Sequence, residues 1–197
     1  NFSLKTFYIK RVSRILPLLY FVLFISTSLS FLIRHPVDNI FFAKSSISSL
    51  LFYPNFFYWK NINYFNTKTE FMHLIHTWSL GVEEQFYLLL PLFLIVLHKI
   101  YKNRVNKYLI TLVLFSTISF FLYLIGYFLQ LNATFYLLPF RAWEFLLGGV
   151  VGILEIKGYY LTNKKLSFFS LAGIFACANY FNPDIYLTNY IIFLPVL

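Results

Sequence analysis

His76-Thr77-Trp78-Ser79-Leu80-Gly81-Val82-Glu83-Glu84-Gln85-Phe86-Tyr87-Leu88-Leu89-Leu90-Pro91 sets two adjacent carboxylates, an amide, a hydroxyl and a histidine at the mouth of an apolar run. From Phe86 to Leu97 every residue is apolar, Tyr or Pro, but that is only 12 residues, and a membrane-spanning helix needs about 20. If Lys99 marks one membrane face, the helix has to reach back to about Thr77 in order to cross. Glu83 and Glu84 then lie inside the bilayer thickness, where ionisable groups are costly and tend to be functional.

The surrounding composition agrees with a membrane setting. Of 197 residues, 59% are hydrophobic, 23% aromatic and 12% charged, against about 25% charge in a soluble domain. Uncharged runs of spanning length recur, so the expected fold is all-α: a polytopic transmembrane helix bundle. The net charge of +9 does not call for nucleic acid, because the basic residues sit in short clusters between apolar runs, where they orient the chain in the membrane. Cys177 is the single cysteine and makes no disulfide within the chain. No CxxC, His-rich cluster or phosphate-binding Gly loop is present. The chain starts without Met and stops inside an apolar run at Leu197, so it reads as a segment of a longer protein.

Lys5, Lys10, Arg11 and Arg14 precede an uncharged run from Ile15 to Ile33, and the positive-inside rule makes its start cytoplasmic. Residues 40–60 are harder. The stretch between Lys44 and Lys60 is 15 residues, Ser-rich and broken at Pro54-Asn55, which is short for a crossing. It reads as a re-entrant or interfacial helix ending in the aromatic group Phe56, Phe57, Tyr58 and Trp59. Charge favours the same choice. Lys99, Lys102, Arg104 and Lys107 form an acid-free loop that belongs on the cytoplasmic side. The central helix, about 77–98, then enters from outside, which requires that 40–60 does not cross; if it does cross, this loop faces outward. Further crossings are expected at about 108–129, 135–156 and 166–181, with another starting at 190–197. The whole chain reads as part of one membrane domain.

Two inward helices carry charge. Glu83 lies 16 residues before Lys99, and Arg141 lies 16 before Lys157. At about 1.5 Å per residue each is about 24 Å above the cytoplasmic end, so the two share a level toward the outer third. Opposite charges at one depth offset each other's desolvation. Glu144 is one turn below Arg141, and Tyr87 one turn below Glu83 with a hydroxyl to donate. A polar cluster of Glu83, Tyr87, Arg141 and Glu144 lining a cavity follows as an expectation, with an ion pair that merely fixes helix register as the plainer alternative.

Other candidates divide in the same way. His76 is either a general base near the outer face or a solvated loop residue. Trp78 is a belt anchor or a wall for a sugar, and Ser79 is a candidate helix N-cap without a nucleophile motif around it. His73 and His76 lack a third ligand for a metal, so none is expected. Arg11 and Arg14 share a helix face at the cytoplasmic surface, where they anchor the chain or grip phosphate.

At this point the residues resemble a known family. The stretch from His76 to Tyr87 is similar to the signature of acyltransferase family 3, the bacterial integral-membrane O-acyltransferases. Phe7-Tyr8-Ile9-Lys10-Arg11-Val12-Ser13-Arg14-Ile15-Leu16-Pro17 resembles the family's Arg-x-x-Arg segment, and Phe140 to Gly148 a later one. The resemblance covers most of the chain in the right order. It implies transfer of an acyl group, often acetyl, from cytoplasmic acyl-CoA to a hydroxyl of an envelope glycan such as O-antigen, peptidoglycan or exopolysaccharide. The location implied is the bacterial inner membrane, with acyl-CoA as donor substrate and no bound cofactor. It matches Arg11 and Arg14 to residues thought to hold acyl-CoA phosphates, and Glu83, rather than Glu84, to the family acid. The family histidine regarded as catalytic lies on an earlier crossing, and none of His35, His73, His76 or His98 occupies that place; the segment alone is therefore expected to be inactive. Glu83, Arg141 and His76 stand as candidate catalytic residues, and Arg11, Arg14, Trp78, Ser79, Tyr87 and Glu144 as candidate substrate-binding residues. A transporter of a glycan or lipid-linked intermediate is the competing reading, since buried Glu–Arg pairs also line translocation paths.

Overall fold

A computed structural model describes residues 3–33, 36–61, 74–102, 104–159 and 168–173, which hold helices and no strand. In chain order the helices are α1 (Leu4–Ile33), α2 (Pro36–Leu50), α3 (Pro54–Asn61), α4 (Thr77–Tyr101), α5 (Val105–Phe128), the single turn α6 (Ala133–Tyr136) and α7 (Leu138–Ile156). Among the described residues four segments are long and apolar enough to cross a membrane: 4–32, 77–101, 105–128 and 133–156. Their outward faces match. Phe24, Phe31, Leu32, Ile110 and Phe128 are each more than two-thirds exposed. Apolar surface on this scale is out of place against water and fits lipid, where the helices keep every backbone group satisfied. This is a helical membrane protein. The expected crossings at 166–181 and 190–197 lie outside the described residues, apart from a helical piece at 168–173. His35, His73 and Cys177 lie outside them too.

The chain falls into two compact units, residues 1–147 and 148–197. In the second, α7 runs to Ile156, and the chain then turns at Gly158, whose φ of +85° suits glycine. The first unit holds α1 to α6 and the first half of α7.

There α1 starts 11 residues before the expected crossing, so Lys5, Lys10, Arg11 and Arg14 are all helical. Two cross-helix contacts fix its direction. The Tyr8 hydroxyl donates to the Leu88 carbonyl at 2.9 Å, and Arg11 reaches Glu84 at 3.1 Å. Three residues forward on α1 correspond to four backward on α4, so the two helices are antiparallel. Farther along, Leu19 and Leu23 pack in one buried cluster with Phe42 and Leu74, flanked by Leu80. α5 returns antiparallel to α4, with His98 against Tyr108 and Phe93 against Phe115. α7 runs parallel to α4, as Trp78 meets Arg141 and Phe86 stacks on Phe145.

Between α1 and α4 the chain makes two short helices of 15 and 8 residues. At about 1.5 Å per residue neither covers a hydrocarbon core of about 30 Å. α2 stops because Phe52 takes the left-handed conformation, φ +57°. Its N–H bonds the Ser49 carbonyl, and the next N–H, of Tyr53, bonds the Ser48 carbonyl. This is a Schellman stop with phenylalanine where glycine is usual. The Gln85 amide of α4 donates to the Phe52 carbonyl at 3.3 Å and helps to hold the turn. Pro54 then opens α3, where its missing N–H costs nothing.

The Ser-rich run is not a solvated face. Ser45, Ser46, Ser48 and Ser49 are all buried, and their hydroxyls return to backbone carbonyls one turn back. Small side chains there let α2 pack closely. α3 comes nearest to α4 at Gly81, where an added Cβ would stand 2.9 Å from the Pro54 ring and 3.0 Å from Asn55 Oδ1.

Candidate functional site

The sequence supplies two adjacent carboxylates on α4, and side chains one position apart in a helix point about 100° apart. The packing of α1 chooses between them. Arg11 Nε donates to Glu84 Oε1 at 3.1 Å, and its Nη2 stands at 3.1 Å from the same oxygen. The side chains are only 22% and 16% exposed. The guanidinium carbon also lies 3.1 Å from the centre of the Tyr87 ring. Tyr87, expected as a donor to Glu83, instead lies beneath Arg11, one turn from Glu84. This contact also corrects the expected depths. Arg11 cannot be at the cytoplasmic surface while its Glu84 partner lies toward the outer third; the two share one level. α4 continues from Leu89 to Tyr101, about 20 Å beyond the level of Tyr8.

Glu83, turned away from that pair, is half-buried. Among the described residues it has neither hydrogen bond nor ion pair. Arg14, one turn along α1 from Arg11, is exposed and has no partner among them either.

Arg141 does not meet Glu83. It binds Glu144 through two parallel bonds, Nε to Oε1 at 3.1 Å and Nη2 to Oε2 at 2.8 Å. Its guanidinium carbon lies 5.1 Å from the centre of the Trp78 ring. The i, i+3 pair read from the sequence is therefore present, while the expected four-residue cluster is divided. Glu84 and Tyr87 face α1, and Arg141 and Glu144 face Trp78. The shared level itself is close to expectation: Phe86 stacks on Phe145, 59 positions on, against the 58 that separate Glu83 from Arg141. What differs is the rotation of the helices.

Trp78 is enclosed by aromatic rings, with Phe135 at 4.4 Å and Tyr136 at 5.6 Å between centroids. α7 is held in place by Ser119 of α5. The Ser119 hydroxyl donates to the Pro139 carbonyl at 2.7 Å and accepts the Trp143 N–H at 3.0 Å. It bridges one i to i−4 step of α7 beside Arg141.

At the start of α4 the expectation for Ser79 is corrected. The helix begins at Thr77, with His76 in the N-cap position and no side-chain cap. Ser79 is inside the first turn, its hydroxyl committed to the His76 carbonyl at 3.0 Å. His76 itself is exposed. Among the described residues no three His, Cys, Asp or Glu side chains gather as metal ligands do.

Two polar features carry little sequence signal. Asn55, fully buried, exchanges amide hydrogen bonds with Gln85 at 3.2 and 2.9 Å and also donates to the Tyr136 carbonyl. Beside it Tyr58 shares hydrogen bonds with the hydroxyls of Ser45 and Thr77, and Ser49 bonds Thr77 at 2.8 Å. Burial pushes the Tyr58 phenol up to about 12, so it stays neutral. Only Gln85 stood within the motif; Asn55 follows a proline, which looks like an ordinary turn.

With this geometry in view the chain can be set beside known proteins. A Staphylococcus aureus protein (strain COL), named "Putative O-acetyltransferase SACOL0978", is 36% identical over 104 residues, 52% of this chain and 17% of that protein. The Bacillus subtilis "Putative peptidoglycan O-acetyltransferase YrhL" is 29% identical over 106 residues, 53% of this chain and 16% of the relative. A Haemophilus influenzae protein without an assigned function is 28% identical over 199 residues, 94% of this chain and 79% of its own length. The chain thus spans under a fifth of the two named relatives and most of the third. No solved structure matches it. A family model described as "Acyltransferase domain" matches residues 1–197 in full, and the chain belongs to that family.

Proposed function

We propose that the protein carrying this chain is a membrane O-acyltransferase, moving an acyl group, acetyl in the simplest case, from acyl-CoA to a hydroxyl of a bacterial cell-envelope glycan. Family membership supports acyl transfer, and the printed names of two relatives support the O-acetyl class. The observation that carries the reading is a juxtaposition. The Arg-x-x-Arg segment of α1 and the Glu83 segment of α4, 70 positions apart in sequence, meet at one level of the bundle. Donor-facing and acceptor-facing groups then need no long relay through the bilayer.

In this reading Arg14 grips a donor phosphate, since guanidinium forks match phosphate oxygens. Glu83 is the carboxylate free to act on the acceptor. The hydroxyl oxygen forms a bond to the thioester carbonyl carbon, the C–S bond breaks, and the proton passes by way of the base to the departing thiolate. Glu83 serves as that base or orients a histidine that does. Arg141 is a weaker candidate for oxyanion stabilisation than its charge implies, because Glu144 already occupies the Nε–Nη2 edge of its fork and offsets its charge. Trp78, over which Arg141 sits, offers a flat apolar wall of the type that takes a sugar face. The inner membrane of a bacterium is the proposed location.

The test is O-acetylation of released envelope sugars, measured by mass spectrometry in cells lacking the gene and complemented with wild type or Glu83→Gln. The expected result is acetylation restored by wild type and reduced at least about 100-fold by Glu83→Gln at equal membrane expression. Acetylation that depends on the gene but survives Glu83→Gln would remove Glu83 from the site. No gene-dependent acylation on any envelope glycan would favour transport of a glycan or lipid-linked intermediate instead.

A further inference from the structure

We propose that Arg11 is a positioning residue that clamps α1 to α4 through Glu84 and so presents Glu83, rather than a second ligand of the donor phosphate. The inference rests on the acyl-transfer reading only for its kinetic arm. Its structural arm stands on geometry.

Both Nε and Nη2 of Arg11 lie 3.1 Å from one Glu84 oxygen, and the guanidinium face is pressed on Tyr87 at 3.1 Å. A phosphate would have to displace a carboxylate that is 16% exposed and leave it uncompensated in an apolar helix. Arg14 faces no such competition among the described residues and is exposed. The two arginines of Arg-x-x-Arg are therefore different in kind, although the sequence presents them as a pair.

Position gives the clamp its consequence. Glu84 is the immediate neighbour of Glu83, so its grip on α1 fixes the rotation of α4 about its own axis. That rotation turns Glu83 about 100° away from α1. Arg11 also neutralises the neighbouring carboxylate, so Glu83 does not share the helix with a second bare negative charge at contact range. The Tyr8 hydroxyl on the Leu88 carbonyl secures the next turn in the same direction. Lysine would not reproduce the arrangement, since an ammonium cannot place two donors on one oxygen and stack flat on a ring together.

The experiment uses the full-length protein, purified in detergent, with Arg11→Gln, Glu84→Gln, the double variant, the charge swap Arg11→Glu with Glu84→Arg, and Arg14→Gln. Two readouts are taken: thermal midpoint, and kcat with KM for acetyl-CoA. The expected structural result is coupling. Each single variant lowers the midpoint by several degrees, about what loss of one mostly buried pair produces, and the double variant lowers it no further than the worse single. The expected kinetic result is a split. Arg11→Gln and Glu84→Gln lower kcat by a similar factor, about tenfold or more, with donor KM within about twofold, whereas Arg14→Gln raises donor KM by about tenfold with kcat kept. Partial recovery by the charge swap supports the clamp further. Additive midpoints would overturn it. So would a rise in donor KM for Arg11→Gln, matching Arg14→Gln, with Glu84→Gln unaffected. If no variant or wild type consumes acetyl-CoA, the acyl-transfer reading fails, and the coupling of midpoints alone decides the clamp.

Discussion

At the residue scale, the two glutamates show what a sequence can and cannot declare. That one carboxylate in this helix has a partner follows from its cost in an apolar setting. Which one is settled by a rotation of about 100°, and only the neighbour helix fixes rotation. Arg141 with Glu144 was legible because an i, i+3 pair lies within one helix. Glu83 with Arg141 was not, because matching depth says nothing about facing. The reciprocal amides of Asn55 and Gln85 were hidden for the same reason, being 30 positions apart on α3 and α4. They make a sharp prediction. Gln85→Leu leaves the Phe52 carbonyl without its amide donor and strips Asn55 of two of its three bonds in a dry place. The expected loss is about 1–2 kcal/mol. Asn55→Leu should cost a similar amount, and the double variant clearly less than the sum, because removing both partners removes the buried orphan. Unfolding in mixed micelles by a denaturing detergent would measure all three; strict additivity would show that the two amides do not depend on each other.

At the scale of elements, length and hydropathy located the long helices and left residues 40–60 as re-entrant or interfacial, because the stretch is short for a crossing, Ser-rich and broken at Pro54-Asn55. What they did not show is how the serines are used. In the structure each hydroxyl bonds a carbonyl in its own helix, leaving a slim surface that packs. α3 then settles on α4 at Gly81, a position whose role no spacing argument reveals. A Cβ there would need to stand 2.9 Å from one carbon of the Pro54 ring, closer than such atoms approach, and a tight 3.1 Å from another. The proline ring is rigid and caps α3, so it cannot turn aside as a long side chain would. Gly81→Val is therefore expected to cost about 1–3 kcal/mol through overpacking. It should also disturb the Asn55–Gln85 pair one turn away, so its cost should shrink in an Asn55→Leu/Gln85→Leu background. A Gly81→Val protein with an unchanged unfolding midpoint would mean that α3 does not rest on α4 at this point.

At the scale of the whole molecule, the antiparallel pairing of α1 with α4 constrains the path between them. Tyr8 meets Leu88 and Arg11 meets Glu84, so α1 leaves toward the side from which α4 returns, although Thr77 starts α4 only near the level of Leu19, about 22 Å short of the end of α1 at Ile33. A chain that leaves and returns on the same side crosses an even number of times in between. Neither α2, with 15 residues, nor α3, with 8, is long enough to cross alone. We therefore expect residues 36–61 not to cross, which sets the basic loop from Lys99 to Lys107 on the cytoplasmic face, the side toward which the basic start of α1 also points, as the positive-inside rule asks. Single cysteines at Lys44, Lys60, Lys102 and Asn132, in a background where Cys177 is replaced by serine, give a direct measurement in intact cells. A membrane-impermeant maleimide should label positions 44, 60 and 132 before lysis, and position 102 only after it. Labelling of 102 in intact cells, with 60 protected, would mean that the α2–α3 segment crosses. It would then reverse every later helix and put Glu83 and Arg14 in reach of opposite compartments from those that acyl transfer to an envelope glycan requires. The charge pattern, the antiparallel contacts and the proposed chemistry thus stand or fall on one measurement, since all three depend on the side to which the chain returns before α4.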